Sequence, residues 1–585
     1  MHILLIASAV NSLTQRVFAE LGEEGHTVAV ELALGEEFLR DAVRRHAPEV
    51  VVAPMLTTAI PRDVWSACPC LVVHPGPVGD RGPSSLDWAI HEGAHEWGVT
   101  VLQADAEMDA GDVWASVPCA LPPVGKSDLY RGEIGDAAVQ AVLLAVRRFA
   151  SGTYRPRRQD GAGHVRPYFD QGLRRIDWAA DPTGTVLRKL RTADSQPGVL
   201  DTFAGAEWYL HGGCAEDTLR GHPGEILATR AGAICRATVD GAVWIPELRL
   251  RRLPGGPATF KLPATLALGR RLPPVPEIPA PLQLPDDRRT WTDIRYREEG
   301  PVGFLRFSFP GGAMSTDRCE RLLAAYRFAC SRPTRVLVLG GGRDFFSNGI
   351  HLHVIEAAAD PAAESWANIT AMDDLVEAVL TTTDRLVVAA LGGNAAAGGA
   401  MLALAADEVW CRGGALLNPH YRLMGLYGSE YWTYTLPRRV GPGQAARLMR
   451  RALPVTAAKA LGLGLVDRIV RCAPQEFDAE VTRLAARIAT SSPVQRRIEA
   501  KKAVRERDEA VKPLSAYRTE ELTQMRRTFF DPAAPYHALR GDFVRKRRPR
   551  STPEQLRDAA LRGGGRGTAS ERPVAETGAP PGGGR

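Results

Sequence analysis

No hydrophobic run in this chain is long enough to cross a bilayer. The apolar opening MHILLIASAV is ten residues long and lacks a basic flank, so it reads as a buried first strand rather than a signal peptide, and a cytoplasmic protein is expected. Cysteine is sparse and odd in number, nine in 585 residues, with CPC at 68–70 the closest pair. That spacing excludes the usual two-residue zinc or redox knuckle, and reduced buried thiols are expected. No GxGxxG follows the first strand, which argues against a nicotinamide dinucleotide site. Excess charge is also missing from the body of the chain. From Gly541 onward, ten Lys or Arg stand against five Asp or Glu, which accounts for five of the six net positive charges. The cluster Arg545, Lys546, Arg547, Arg548 and Arg550 reads as a solvated terminal segment, because the GGGRG and APPGGG beyond it cannot build a core. An acidic partner or nucleic acid is the alternative.

A chain of this length exceeds one hydrophobic core, and its 45% hydrophobic and 24% charged residues suit a soluble α/β multidomain protein. Residues 1–168 alternate strand-like MHILLIAS, HTVAVEL, EVVVAPM and PCLVVHP with helix-period segments at 13–24, 36–46 and 61–67. That is the βαβ pattern of a parallel, Rossmann-like sheet covered by helices. Residues 169–275 carry short alternating strands such as EWYLHGG, GEILATR, ICRATVD and AVWIPELRL, as in a small β-barrel, preceded by RIDWAADPTGTVLRKLRTADSQPG, which reads as a helix with its turn. Residues 276–289 form a proline-rich linker, 290–540 a second α/β region ending in amphipathic helices, and 541–585 a basic, Gly/Pro-rich disordered tail. No internal repeat is visible.

His74 stands just beyond LVV, at the carboxyl end of a predicted strand, where open α/β sheets place their ligands. Asp109 sits in MDAGD, a tight acidic turn able to reach the imidazole. A histidine after a strand is by itself more often structural. The ordered set VVHP, RG at 81–82, LDWAIHEG at 86–93, GVTV at 98–101 and MDAGDVW at 108–114 is far more specific, and it resembles the folate-dependent formyltransferases, methionyl-tRNA formyltransferase among them. The resemblance covers roughly residues 1–165 and extends to an OB-like C-terminal domain over 170–275. It implies 10-formyltetrahydrofolate as donor, His74 and Asp109 as the catalytic pair, and Pro54, Met55 and Leu56 as the backbone meeting the pterin. The family's catalytic Asn lies two residues before the histidine, and here that position is Val72. Loss of such an oxyanion donor is worth about 3 kcal/mol, which points from an amine acceptor toward a more nucleophilic thiol.

RDFFSNGIHL and NAAAGGAMLALAAD resemble the two halves of the oxyanion hole in the crotonase (enoyl-CoA hydratase/isomerase) superfamily, whose fold is a ββα superhelix. The resemblance implies the backbone N–H groups of Asn348 and Gly398 as oxyanion donors, with glycine at 398 and 399 letting the backbone approach a thioester and Gly349 and Gly399 placed against the cofactor. A close helix–strand crossing is the plainer reading of those glycines. The two carboxylates of the hydratases fall on Met401 and Tyr421, so hydration is not expected. The segment NPHYRLMGLYGSEYWTY offers instead His420, Tyr421, Tyr427 and Glu430, with Tyr421 as proton donor and Glu430 as acceptor. Aromatics at this spacing are equally expected in a core.

The combination, with GDRGPSSLDWAI and NPHYRLMGLYGSEYWTYTLPRR as its most specific stretches, resembles the HypX/HoxX family of hydrogenase maturation proteins. The family implies formyl transfer from 10-formyltetrahydrofolate to coenzyme A, then decarbonylation of formyl-CoA to CO and CoA, with CO delivered toward an iron-bearing maturation partner. No metal is required. CoA is expected to span the domains, with Arg16 and Arg131 near helix starts as phosphate partners. An ordinary surface role competes for both arginines. Three rivals stay open: an amine formyltransferase carrying an inert crotonase domain, an ordinary acyl-CoA hydratase or isomerase, and a non-enzymatic folate- and CoA-binding scaffold.

Overall fold

The first strand, His2–Ala7, is buried over Ile3–Ala7, as expected where helices cover both faces of a sheet. In the computed structural model, which describes residues 1–159, 163–285, 287–547, 549 and 551–557, it lies second in a six-stranded sheet. The spatial order is Thr27–Leu32, His2–Ala7, Val50–Met55, Cys70–His74, Glu96–Gln103 and Val113–Ala120. The first four strands are parallel, but Cys70–His74 pairs antiparallel with Glu96–Gln103, which pairs antiparallel with Val113–Ala120. The parallel pattern expected for this region therefore ends at the histidine strand. Register sets Leu71 opposite Gln103, so the 104–112 loop has to fold back to bring Asp109 beside His74.

The second unit is a barrel of two four-stranded antiparallel sheets behind the helix Thr183–Ala193. Trp208, Leu210, Ile234, Val243 and Ile245 fill its centre. The proline-rich segment after it is pinned rather than free. Pro276 and Ile278 bond to Thr229 on the barrel, and Leu282 accepts from the Tyr296 N–H of the next unit.

The third unit has a six-stranded sheet, in the order Ile294–Glu299, Val302–Phe307, Val336–Gly340, Leu386–Leu391, Glu408–Arg412 and Arg468–Val470. Beside it lies a smaller sheet of Phe345–Ser347, Asn394–Ala396, Leu416–Asn418 and Val455–Thr456. The helices Thr316–Cys330, Pro361–Thr381 and Gly398–Leu404 pack into its largest core, and Phe477–Ala489, Val494–Val511 and Leu514–Phe530 follow. Among the described residues no helix is long and apolar enough to cross a membrane. All nine cysteines are free, and burial pushes the Cys70 thiol up to about 12.

The outer units are locked together. Asp136 receives Arg16 from its own unit and Arg412 from the third at 2.7 Å, and Glu133 receives Arg343 at 2.6 Å. The terminal segment departs from the expected solvated tail. Arg545 pairs with Glu356, Thr552 donates to Glu31 at 2.6 Å and accepts from the Leu32 N–H, and Leu556 is buried in the first unit's core. Among the described residues of the basic cluster, Lys546 and Arg547 lie exposed. Arg548, Arg550 and residues 558–585 lie outside the described residues.

Candidate active sites

His74 ends its strand two residues beyond the Ala53–Val72 pairing, level with Met55 on the neighbouring parallel strand. Its imidazole is buried between two carboxylates: Asp80 Oδ2 lies 2.9 Å from Nε2, and Asp109 Oδ1 lies 3.5 Å from Nδ1. Asp109 has a left-handed backbone (φ 57°), and its other oxygen accepts from the Gly82 N–H at 3.1 Å. Burial works against the charge on Asp80, but bonds from His74 and from Arg166 Nε (2.9 Å) hold its carboxyl below the ordinary range. Pro54 and Met55 are the last residues of their strand and Leu56 follows it. Pro54 carries no N–H to offer a ligand, and the Met55 carbonyl accepts from the Ser8 N–H.

The second site gathers around a turn that no helix or strand pattern announces. Glu430 and Tyr431 both have left-handed backbones (φ 60° and 58°). Two buried carboxylates hold them there: Asp373 accepts from the Glu430 N–H at 2.8 Å, and Glu521 accepts from the Tyr431 N–H at 2.9 Å. Asp373 also accepts from the Ser429 hydroxyl. The turn delivers a fully buried Glu430 carboxyl to the Tyr421 hydroxyl, which donates to it at 2.7 Å. Burial, followed by repulsion from Asp373, pushes Glu430 up to about 8, and burial drives the Tyr421 hydroxyl well above its usual range. A Cβ at Gly398 would strike the Glu430 carboxylate, so this position tolerates no side chain.

Gly398 opens its helix, and no described residue accepts its backbone N–H. The expected partner donor needs correction. The Asn348 N–H donates to Gly312 O at 2.7 Å, and its side chain to Gly311 O, so Asn348 cannot polarise a ligand through its peptide. The open peptide is that of Ile350, two residues on, which has no acceptor among the described residues and lines the same cavity. Gly349, with φ 77°, is the left-handed link that turns this peptide, and a Cβ there would come within 3.1 Å of Gly398 N. Gly399 serves packing: a Cβ on it would strike the Ser347 backbone, the plain helix–strand crossing.

The cavity, of about 370 Å³, is walled by all three units: Asn11 and Gln15, Glu247 and Lys261, then Gly398, Tyr421 and Glu430. A second chamber of about 380 Å³ shares Arg131, Lys261 and Phe345 with it. Arg131 stacks 4.5 Å from the Phe345 ring and keeps its guanidinium 3.6 Å from Asp344. Arg16 lines neither chamber and is held within its own unit by Glu20 and Asp136, turned to that ion pair rather than to a phosphate in the cavity. Helix register turns its neighbour Gln15 to the cavity instead. His420 lines the cavity with Nδ1 2.9 Å from the Asn418 carbonyl, whereas Tyr427 is exposed.

Asp80, Ile350, Gln15, Asp373 and Glu521 were not legible as site residues in the sequence. A faint signal existed for one: Glu521 is the sole acid on an otherwise apolar buried helix face, whereas Asp373 shares its buried face with Ser365 and Asn368. Met401, where a hydratase has a carboxylate, is core.

Known proteins match this architecture along its length. A family model described as formyl transferase matches residues 7–146, and one described as the formyl transferase C-terminal domain matches residues 170–254. One described as enoyl-CoA hydratase/isomerase matches residues 313–549. The chain is 48% identical over 552 residues to the hydrogenase maturation factor HoxX of Bradyrhizobium diazoefficiens, covering 93% of this chain and 95% of that one. It is 30% identical over 203 residues to methionyl-tRNA formyltransferase of Roseiflexus castenholzii, covering 33% of this chain and 63% of the relative. Its fold matches a crystal structure of HypX from Aquifex aeolicus in complex with tetrahydrofolic acid, with a TM-score of 0.92 and 42% identity, over 95% of this chain and 98% of the other.

Proposed function

The chain belongs to the HypX/HoxX family of hydrogenase maturation proteins, and we propose that it makes carbon monoxide by passing a formyl group from 10-formyltetrahydrofolate through coenzyme A. The observation that carries this reading is the Tyr421–Glu430 hydrogen bond, buried beside the open Gly398 and Ile350 peptides in a cavity walled by all three units.

At the first site the CoA sulfur bonds to the formyl carbon and the carbon–N10 bond breaks. His74 and Asp109 take the thiol proton and return one to N10. Val72 leaves the oxyanion one donor short, which suits a sulfur nucleophile better than an amine. The HypX structure with tetrahydrofolic acid supports folate as the donor here.

At the second site the Ile350 and Gly398 N–H groups hold the formyl oxygen. Glu430 removes the formyl hydrogen as a proton while the carbon–sulfur bond breaks. Tyr421 protonates the departing sulfur and is reprotonated by Glu430 across their 2.7 Å bond. The products are CO and CoA, with no water consumed and no proton left over. A hydratase needs carboxylates that handle water, and here those positions are Met401 and Tyr421. Neither chamber is lined by His74, so the CoA head, held by Arg131 and Lys261, swings its thiol arm between sites.

Purified protein supplied with formyl-tetrahydrofolate and CoA should release CO, trapped on deoxyhaemoglobin, and should release none when CoA is omitted. Tyr421→Phe should accumulate formyl-CoA. CO release without CoA, or none from the folded wild type with both substrates, contradicts the proposal.

A further inference from the structure

His74 meets two carboxylates, and they are built differently. The Asp109 contact is the longer, at 3.5 Å, and comes from a left-handed turn whose second oxygen is tied to a backbone N–H. The Asp80 contact is short, at 2.9 Å. Its other oxygen takes Arg166 Nε at 2.9 Å, and Arg166 is itself held by Glu92. The Asp80 side chain is 4% exposed against 12% for Asp109. Gly76 faces the same contact: a Cβ there would lie 2.5 Å from His74 Nε2 and strike Asp80. The HPGPVGD turn is thus shaped to let this carboxylate reach this ring nitrogen.

We infer that Asp80 is the positioning residue of the formyl-transfer site, fixing the ring of His74 so that Nδ1, toward Asp109, is its working nitrogen. An ionised carboxylate can only accept, so the proton in this contact sits on Nε2. That settles the tautomer from the side away from Asp109, as the orienting aspartate does in serine hydrolases. Arg166 keeps Asp80 from turning to other donors. The strand itself offers no such help, because the residue two before His74 is Val72. The inference rests on the reading of His74 as the residue that moves the thiol proton.

Asp80→Asn keeps the shape of the side chain and removes its charge. The expected result is a fall of about a hundredfold in kcat for formyl-tetrahydrofolate turnover with CoA, with KM for the folate changed less than about threefold. CO release from supplied formyl-CoA, which uses only the second site, should stay at the wild-type rate and reports that the variant is folded. Because Asp80 acts through His74, Asp80→Asn added to His74→Ala should cost nothing beyond His74→Ala alone. A kcat within about threefold of wild type in Asp80→Asn overturns the inference, as does a further loss of about tenfold in the double variant. Full folate turnover in His74→Ala would overturn the site reading beneath it, an outcome that the single Asp80 variant cannot mimic.

Discussion

Glu430 lies in a pocket that raises its proton affinity to about 8, through burial first and the neighbouring Asp373 second. Such a carboxyl is mostly protonated at pH 6 and mostly ionised at pH 9, and only the ionised form accepts the formyl hydrogen. CO release from supplied formyl-CoA should therefore rise between pH 6 and pH 9, with its midpoint near pH 8. Glu430→Gln should abolish it at every pH. A flat profile in the wild type would remove Glu430 as the base. Tyr421 and Glu430 could be singled out as candidates because residue type carries the proposed chemistry, in a segment where the hydratase acids are replaced, and the structure brings the two side chains together. Asn348 was misplaced for a physical reason. Which peptide N–H is free depends on where its neighbours' carbonyls point, and Gly312 takes that of Asn348. Arg16 failed in the same manner, since one step along a helix turns the side chain by about 100° and presents Gln15 to the cavity.

The turn at 429–433 is the element that makes the second site. Two consecutive non-glycine residues in the left-handed region cost about 1–3 kcal/mol each, and the surrounding groups must hold them there. Asp373, from the helix Pro361–Thr381, and Glu521, from Leu514–Phe530, do so by accepting successive peptide N–H groups. Asp373→Ala should lower CO release from formyl-CoA at least about tenfold by letting Glu430 leave Tyr421, while formyl-tetrahydrofolate turnover stays unchanged. Asp373→Asn keeps one accepting oxygen and should recover part of the loss. Equal damage to both half-reactions would mean that Asp373 supports the fold at large. Strands and helices were visible as hydrophobic periods, yet strand direction was not. EWGVTVLQ and VWASVPCA are equally apolar read either way, and only pairing with Cys70–His74 makes the first antiparallel. The long helices showed their amphipathic period, but nothing local said that one acid on each would cap a distant turn.

At the scale of the whole molecule, the two outer units close on each other and the barrel completes the chamber wall. Asp136–Arg412 and Glu133–Arg343 span that contact, with Arg16 bracing Asp136 from its own unit, and neither spanning pair could be read from residues over 200 positions apart. The terminal segment is a second tie. Thr552 satisfies the Leu32 N–H and Glu31 of the first sheet, and Leu556 enters its core. Thr552→Val leaves a buried N–H and a carboxylate oxygen without their partner, a loss of about 1–3 kcal/mol. Calorimetry should show the first unit's transition lowered in that variant, with CO release from formyl-CoA intact. An unchanged transition would make the segment a passive appendage. The central claim is that one carbon travels from folate through CoA to CO within one chain. Its most direct measurement is infrared detection of haem-bound CO after incubating the protein with [¹³C-formyl]tetrahydrofolate and unlabelled CoA. The account predicts the isotope-shifted ¹³CO band, dependent on CoA and lost in His74→Ala. Label recovered only as formate or as intact folate, with no ¹³CO band from active protein, would contradict it.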